Sequence, residues 1–336
     1  MQTRTISFGQ NKVDFYFAGS LSKLKSIADS SKTILITDEN VYNAHAGRLS
    51  KWDPIVIKAG EQFKVQGTVD YLIEALIERE ADRRSLLVGV GGGVVTDIVG
   101  YTASVYMRGI RFGFVPTSLL ALVDASIGGK NGIDVGSYKN MVGVIRQPAF
   151  LLHDPSFLDS LPEGEWRNGF AEIIKHAAIK DAVMFRELQS RDLGYYRKKK
   201  SAIAALVQRN ALLKAKVVQK DEFEQGDRKL LNFGHTLGHA LENQYMLSHG
   251  EAISIGMGFA SELSEELLGF KGASKVKTLL QQYGLPVQMD FEKEKVMNVL
   301  KMDKKRQKDA IQFILLQRIG RAVIQSLPIK QLYQLV

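Results

Sequence analysis

The chain of 336 residues contains no cysteine. That excludes disulfides, thiolate metal sites and a cysteine nucleophile, and it fits a reducing compartment. Long apolar runs are missing as well. No stretch approaches the ~18 consecutive apolar residues of a membrane span, and residues 1–30 carry no apolar run of signal-peptide length. A cytoplasmic protein with no membrane partner is the expectation. Internal repeats and low-complexity tracts are absent too. Positive charge, by contrast, is in excess: 45 Lys and Arg against 36 Asp and Glu, a net charge of +9. The basic residues are nevertheless spread along the chain, and the one dense run, Arg197-Lys198-Lys199-Lys200, reads as a solvated helix end or loop. A nucleic-acid footprint would be clustered, so no nucleic-acid partner is expected. The positive charge is better matched to a small anionic substrate.

A hydrophobic content of 45% and a charged content of 24% are those of a globular protein, and the length accommodates two domains. In the first half, strand and helix signals alternate. Strand runs occur at Lys32–Asp38, Ile55–Ile57, Ser85–Val90 and Arg111–Pro116, with a helical spacing over Thr68–Glu80. Such alternation predicts a doubly wound α/β domain on a mostly parallel sheet. From Glu163 to about Glu266 the apolar spacing is mainly helical, with clear helices over Ala202–Val218 and Ala252–Leu268. Segments around Asp154-Pro155 and Leu161-Pro162 mark the division. The expectation is an α/β domain over residues 1–154 and a mainly helical domain over 155–336, with a small hairpin around Arg318–Arg321.

Four motifs carry chemistry. Gly89-Val90-Gly91-Gly92-Gly93-Val94-Val95-Thr96-Asp97 follows a strand and enters a helix. Glycines there let a ligand approach the backbone, and a helix N-terminus offers free N–H donors to phosphate. The spacing is not G-x-G-x-x-G, so a structural tight turn is an equal reading. Asp38, ending an earlier strand, adds a carboxylate that could accept from a ribose hydroxyl. The second motif, Asp124-Ala125-Ser126-Ile127-Gly128-Gly129-Lys130-Asn131-Gly132 leading to Lys139-Asn140, places two lysines in a glycine-rich segment. Lysine is a point-charge partner for phosphate or carboxylate, and Arg108 could join them; two surface loops with solvated lysines are the alternative. Third, Glu172 and Lys175 are three apart on a predicted helix, which alone would be an ordinary surface ion pair. Fourth, three of the six histidines fall in Gly234-His235-Thr236-Leu237-Gly238-His239 and Ser248-His249-Gly250. His235 and His239 share a helix face. Two histidines and one carboxylate make a catalytic zinc shell with an open position, and spacing alone selects His235 and His239 as the imidazole ligands.

Together with Tyr106-Met107-Arg108-Gly109, Gly169-Phe170-Ala171-Glu172-Ile173-Ile174-Lys175, Asp227-Arg228-Lys229-Leu230-Leu231-Asn232-Phe233-Gly234-His235-Thr236 and Asp303-Lys304-Lys305, these segments resemble the sugar-phosphate cyclase family, in its dehydroquinate synthase branch. The match runs in order from about residue 38 to 320. The resemblance implies a dehydroquinate synthase-like fold and NAD bound at Asp38, Glu61, Lys64, Gly92, Gly93, Val94, Asp97, Thr117, Ser118, Lys139, Phe157 and Asn168. It implies zinc or cobalt held by Glu172, His235 and His249, which splits the histidine pair: His239 becomes a substrate contact and acid/base group. Arg108, Asp124, Lys130, Asn140, Lys175, Lys214, Arg228, Asn232, His239 and either Lys304 or Lys305 match substrate positions. His239, Glu224 and Lys175 match catalytic ones, Glu224 as a proton acceptor. Ser118 stands where the family usually has threonine, and Lys304–Asp309 lacks the usual glycine. The implied reaction closes a seven-carbon keto-acid phosphate, 3-deoxy-D-arabino-heptulosonate 7-phosphate, into a carbocycle through transient oxidation by NAD, phosphate elimination, reduction and an aldol step. Closure of the domains on binding and a homodimer are further implications.

Overall fold

A computed structural model describes residues 2–136, 138–302, 306–307 and 310–335. The chain divides into two compact units. One is Met1–Pro162 with Lys200–Phe223; the other is Glu163–Lys199 with Glu224–Val336. The division therefore falls at Pro162, later than residue 154. The helix Lys200–Lys220 belongs with the first unit and not with the helical domain that surrounds it in sequence. Its side chains explain this: Ala211, Ala215 and Val218 are wholly buried in the core that also holds Phe15, Phe17, Leu87, Ile98, Phe112 and Phe114.

The first unit is built on seven strands: β1 (Gln2–Phe8), β2 (Asn11–Phe17), β3 (Thr33–Asp38), β4 (Ile55–Ile57), β5 (Leu86–Gly91), β6 (Arg111–Pro116) and, after the hairpin strands β7 (Lys130–Val135) and β8 (Tyr138–Ile145), β9 (Phe150–Leu152). The sheet order is β1-β2-β9-β6-β5-β3-β4. Every pairing from β2 to β4 is parallel; β1 pairs with β2 antiparallel. All six residues of β5 are buried, as a strand covered on both faces requires. Leu87 points into one core layer, and Leu86, Val88 and Val90 into the other, with Leu35, Val115, Leu152 and Phe157. The doubly wound expectation is met. The glycine-rich lysine–asparagine segment, however, is an antiparallel hairpin, β7 with β8, and not a pair of loops.

In the second unit the helix Glu163–Lys180 is buried at every position from Asn168 to Ile179, so it is packed on all sides. Against it pack the helices Ala182–Gln189 and His249–Leu268. The helix His235–Gln244 lies beside His249–Leu268. A three-stranded antiparallel sheet, β10 (Arg306–Gln307), β11 (Ala310–Arg318) and β12 (Arg321–Pro328), completes the unit. Its β11–β12 turn is the predicted hairpin, with Arg318 opposite Arg321.

Candidate active site

In the first unit the strand order reverses at β5. The chain runs outward from β3 to β4, then returns to the other side of β3 through β5 and β6. Ligands of doubly wound sheets bind beyond the strand carboxyl ends at such a switch point. Asp38 ends β3 there, and the glycine turn leaves β5 there. A Cβ on Gly91 would lie 2.4 Å from Val95, so this sharp exit tolerates no side chain. Gly92 then caps the helix Gly93–Val105 without a side-chain hydrogen bond, leaving Gly93 and Val94 in its first turn with their N–H groups outward. Thr117 and Ser118 are buried at the end of β6, and Thr117 N–H donates to the Gly91 carbonyl at 3.0 Å. Asp38 also acts locally, since its Oδ1 accepts from Val41 N–H at 2.9 Å and caps the helix Glu39–Leu49.

Lys64 anchors the next group. Its side chain is buried, and its ammonium lies 2.6 Å from Asp97 Oδ2, 2.6 Å from Asn140 Oδ1 and 3.9 Å from Glu61. Burial alone would discharge it, but Asp97 and Glu61 outweigh burial and raise its pKa above the ordinary lysine value. Burial pushes Asp38 and Glu61 up. Lys214 is buried too, and its Nζ donates to the Asp124 carbonyl at 2.7 Å and faces Asp124 Oδ1 at 2.9 Å. Arg108 is exposed at the end of a 3₁₀ turn; Lys130 opens β7, and Lys139 lies on β8. Among the described residues seven non-glycine residues have positive φ, and three of them are expected site residues: Arg108 (65°), Asn140 (53°) and Glu224 (58°). Backbone strain of this kind concentrates at functional sites. Asp134, missed in the sequence, helps hold one of these: its carboxylate accepts from Asn140 N–H at 2.7 Å. Phe157 lies in the core, edge-on to His45 and under Arg48. Its buried ring offers no open surface to a ligand.

In the second unit Glu172, His235 and His249 converge. One donor atom of each lies within 4.8 Å of the others. Both histidines turn Nε2 toward Glu172 Oε1, at 3.4 Å for His235 and 3.0 Å for His249. The opposite nitrogen of His235 is 3.1 Å from the Phe233 carbonyl. Glu172 is wholly buried in an ion pair with Lys175, itself buried; the surface pair expected from spacing alone is an interior one. Burial would raise Glu172, but Lys175 and His235 hold it well below the usual carboxylate range. Burial and Lys175 push His235 down to about 4, against the pull of Glu172. Burial also disfavours charge on His249, yet its hydrogen bond to Glu172 and the nearby Glu242 carboxylate push it up to about 9. Two imidazoles and one carboxylate fit a divalent cation of the zinc type. The His239 ring lies edge-on to His235, 5.1 Å between centroids. Asn232 Nδ2 donates to Glu224, and Arg228 is buried. Asn168 accepts from Gly250 N–H at 3.0 Å. Lys304 and Lys305 lie outside the described residues.

Close helix contact makes the convergence possible. Gly234, with φ +81°, ends the approach to His235, and a Cβ on it would lie 2.7 Å from the Ile253 carbonyl; a Cβ on Gly256 would lie 1.9 Å from the Gly234 carbonyl. Only glycines let the two backbones meet so closely.

Two family models match, 3-dehydroquinate synthase N-terminal over residues 54–168 and 3-dehydroquinate synthase C-terminal over 169–306. The 3-dehydroquinate synthase of Nitratiruptor sp. is 40% identical over 316 residues, covering 90% of this chain and 89% of its own. That of Saccharolobus solfataricus is 38% identical over 317 residues, covering 90% and 88%. Among solved structures, a 2-deoxy-scyllo-inosose synthase complexed with carbaglucose-6-phosphate, NAD+ and Co2+ superposes with a TM-score of 0.86 at 25% identity, covering 99% and 98%. A 2-epi-5-epi-valiolone synthase from Streptomyces hygroscopicus with NAD+ and Zn2+ bound gives 0.86 at 28%, with the same coverage. An iron-containing alcohol dehydrogenase from Thermotoga maritima, at 12% identity and a TM-score of 0.66, shares the fold alone. Sequence kinship over nine-tenths of the chain and matches to both family models leave one assignment: the chain belongs to the 3-dehydroquinate synthase family.

Proposed function

We propose that the protein converts 3-deoxy-D-arabino-heptulosonate 7-phosphate into 3-dehydroquinate and phosphate, as an NAD- and divalent-metal-dependent carbon–oxygen lyase. The observation that carries this reading is the buried Glu172–Lys175 pair facing His235 and His249 in a chain about 40% identical to synthases of that name. The glycine turn at the switch point, with Asp38, Lys64 and Asp97, supports NAD in the first unit; Glu172, His235 and His249 support zinc or cobalt in the second. Bound NAD would supply a hydride acceptor, and the cation Lewis acidity at the hydroxyl to be oxidised.

The chain's own residues do the rest. The substrate carries a carboxylate and a phosphate, and the cationic groups assigned to it are Arg108, Lys130, Lys175, Lys214 and Arg228. Paired, buried cations such as Lys175 and Lys214 arrive pre-oriented and charged. His239, next to a ligand histidine, moves protons at the reacting carbons and leaving oxygen. Glu224 orients the Asn232 amide and accepts a proton. A homodimer in the cytoplasm belongs to the same proposal; among the described residues no helix is long and apolar enough to cross a membrane.

A second reading, another sugar-phosphate cyclase acting on sedoheptulose 7-phosphate or glucose 6-phosphate, is favoured by the two cyclase structures at a TM-score of 0.86. Their identity is far lower than that of the synthases. The metal-loaded protein with the heptulosonate phosphate and sub-stoichiometric NAD should release one phosphate per dehydroquinate formed over many turnovers. Phosphate release limited by the NAD supplied, or cyclisation of only sedoheptulose 7-phosphate, would overturn the proposal. His239→Ala should keep its metal and lose turnover by ~10²-fold or more, whereas His249→Ala should lose the metal.

A further inference from the structure

The cation-binding triad has two histidines, and a histidine that binds through Nε2 carries its proton on Nδ1, where an acceptor fixes the tautomer and the ring plane. For His235 that acceptor is the Phe233 carbonyl. For His249 the group on the Nδ1 side is a second carboxylate: Glu242 Oε2 lies 3.7 Å away, on a side chain only 9% exposed. The local sequence places it there. Glu242 follows His235 by seven residues and His239 by three, so all three share one face of the helix His235–Gln244. The chain then turns back within Tyr245–Leu247. Ser248 caps the next helix in a reciprocal box with Glu251, which fixes His249 at the first helical position with its ring toward the preceding helix.

Resting on the cation reading of the triad, we infer that Glu242 is the outer carboxylate that orients His249 and tunes the site for a divalent cation. It is a positioning residue. With Glu172 it also supplies two negative charges against the single positive charge of Lys175, a balance that suits a dication.

The test is a titration of the metal-free protein with Zn2+ in competition with a chromophoric chelator, alongside the visible absorption of the Co2+ form. Glu242→Ala should weaken Zn2+ binding ~10–100-fold and alter the Co2+ spectrum. Glu242→Gln keeps an acceptor for Nδ1–H but removes the charge, and should fall between Glu242→Ala and the parent. Zn2+ affinity within ~3-fold of the parent and an unchanged Co2+ spectrum in both variants, while His249→Ala abolishes binding, would overturn the inference and leave the triad intact. If Glu242→Ala does not fold, the Gln variant alone decides by the same two readouts. A parent protein that binds no Zn2+ would overturn the cation reading and this inference together.

Discussion

His235 and His249 face the same carboxylate oxygen, yet their surroundings set opposite protonation states. His235, at about 4, is neutral at pH 7, and Glu172 is ionised. His249, at about 9, is protonated. A cation must displace that proton and no other from the triad, so Zn2+ binding to the metal-free protein at pH 7 should release close to one proton. Calorimetry in buffers of different ionisation enthalpy reads this number directly; two protons, or none, would contradict the assignment. The apparent affinity should accordingly rise about tenfold per pH unit between pH 7 and 8. Lys64 offers a second test. Removing one member of a buried ion pair strands the other and costs about 3–5 kcal/mol. Lys64→Met leaves the Asp97 carboxylate without its partner, so it should destabilise the protein in urea unfolding at pH 8. The penalty should shrink as the pH is lowered, because burial pushes Asp97 up and favours its neutral form; a penalty independent of pH would show that packing, not charge, is lost. At this scale the sequence disclosed which residue types matter but not their environment. Glu172–Lys175 looks like any i,i+3 surface pair, because nothing local shows that its helix is covered on every side. Nor does spacing separate His239 from His249, since the second ring returns on a different helix. Asp134 and Glu242 carry no signal in one sequence: each is a lone carboxylate whose role depends on where a turn brings it.

Between helices, the decisive feature is backbone proximity at Gly234 and Gly256. A methyl group at Gly256 would overlap the Gly234 carbonyl, so the helices beginning at His235 and His249 would have to separate, and the two imidazoles with them. Gly256→Ala should therefore lower Zn2+ affinity by at least ~10-fold and cost about 1–3 kcal/mol of stability, as overpacking does. Equal affinity in the variant would show that the helices can part without disturbing the triad. Gly258→Ala, on the same helix but against the Val287 carbonyl, is the control: it should destabilise and leave the metal site nearly intact. The interior strands and long helices were legible because each has its own period or an unbroken apolar run. The first hairpin, β1 with β2, and the β7–β8 hairpin were not. The segment over β7 and β8 shows glycines and lysines where a strand signal is sought, and β8 is largely exposed, so no alternation toward a core betrays it. The helix Lys200–Lys220 was legible as a helix, but its membership in the first unit was not, because an apolar face does not say which core it will join.

For the whole molecule, the buried His153 and His235 and the half-buried His249 shape stability against pH in opposite directions, and the two units carry them separately. His153, in the first unit, packs tilted against Phe17 with 4.9 Å between centroids and has Nε2 3.2 Å from the Leu122 carbonyl. Burial outweighs that contact and pushes it down to about 4. Its unfolded form takes up a proton near pH 6.5 and its folded form does not, so its contribution is complete above pH 6.5 and lost as the pH falls toward 4. At pH 5 the loss is about 2 kcal/mol. His235 imposes the same acid limb on the second unit. His249 does the reverse: its folded pKa lies above the unfolded one, so its contribution is complete below pH 6.5 and lost as the pH rises through 9. Between pH 6.5 and 8 that loss is about 2 kcal/mol. His235 and His249 should thus make their largest joint contribution to the metal-free second unit near pH 6.5, whereas the His153 contribution to the first unit is lost only on the acid side. Trp52 lies in the first unit and Trp166 in the second, and they are the only tryptophans in the chain. Trp166→Phe and Trp52→Phe variants therefore report each unit by fluorescence in urea. Zn2+ should abolish the alkaline limb reported by Trp166, because the cation prefers the same deprotonated His249 that alkali produces, and leave the Trp52 transition unmoved. His153→Phe should flatten only the acid limb reported by Trp52. An alkaline limb that persists with Zn2+ bound would place the titrating group outside the triad and break the link between metal binding and His249.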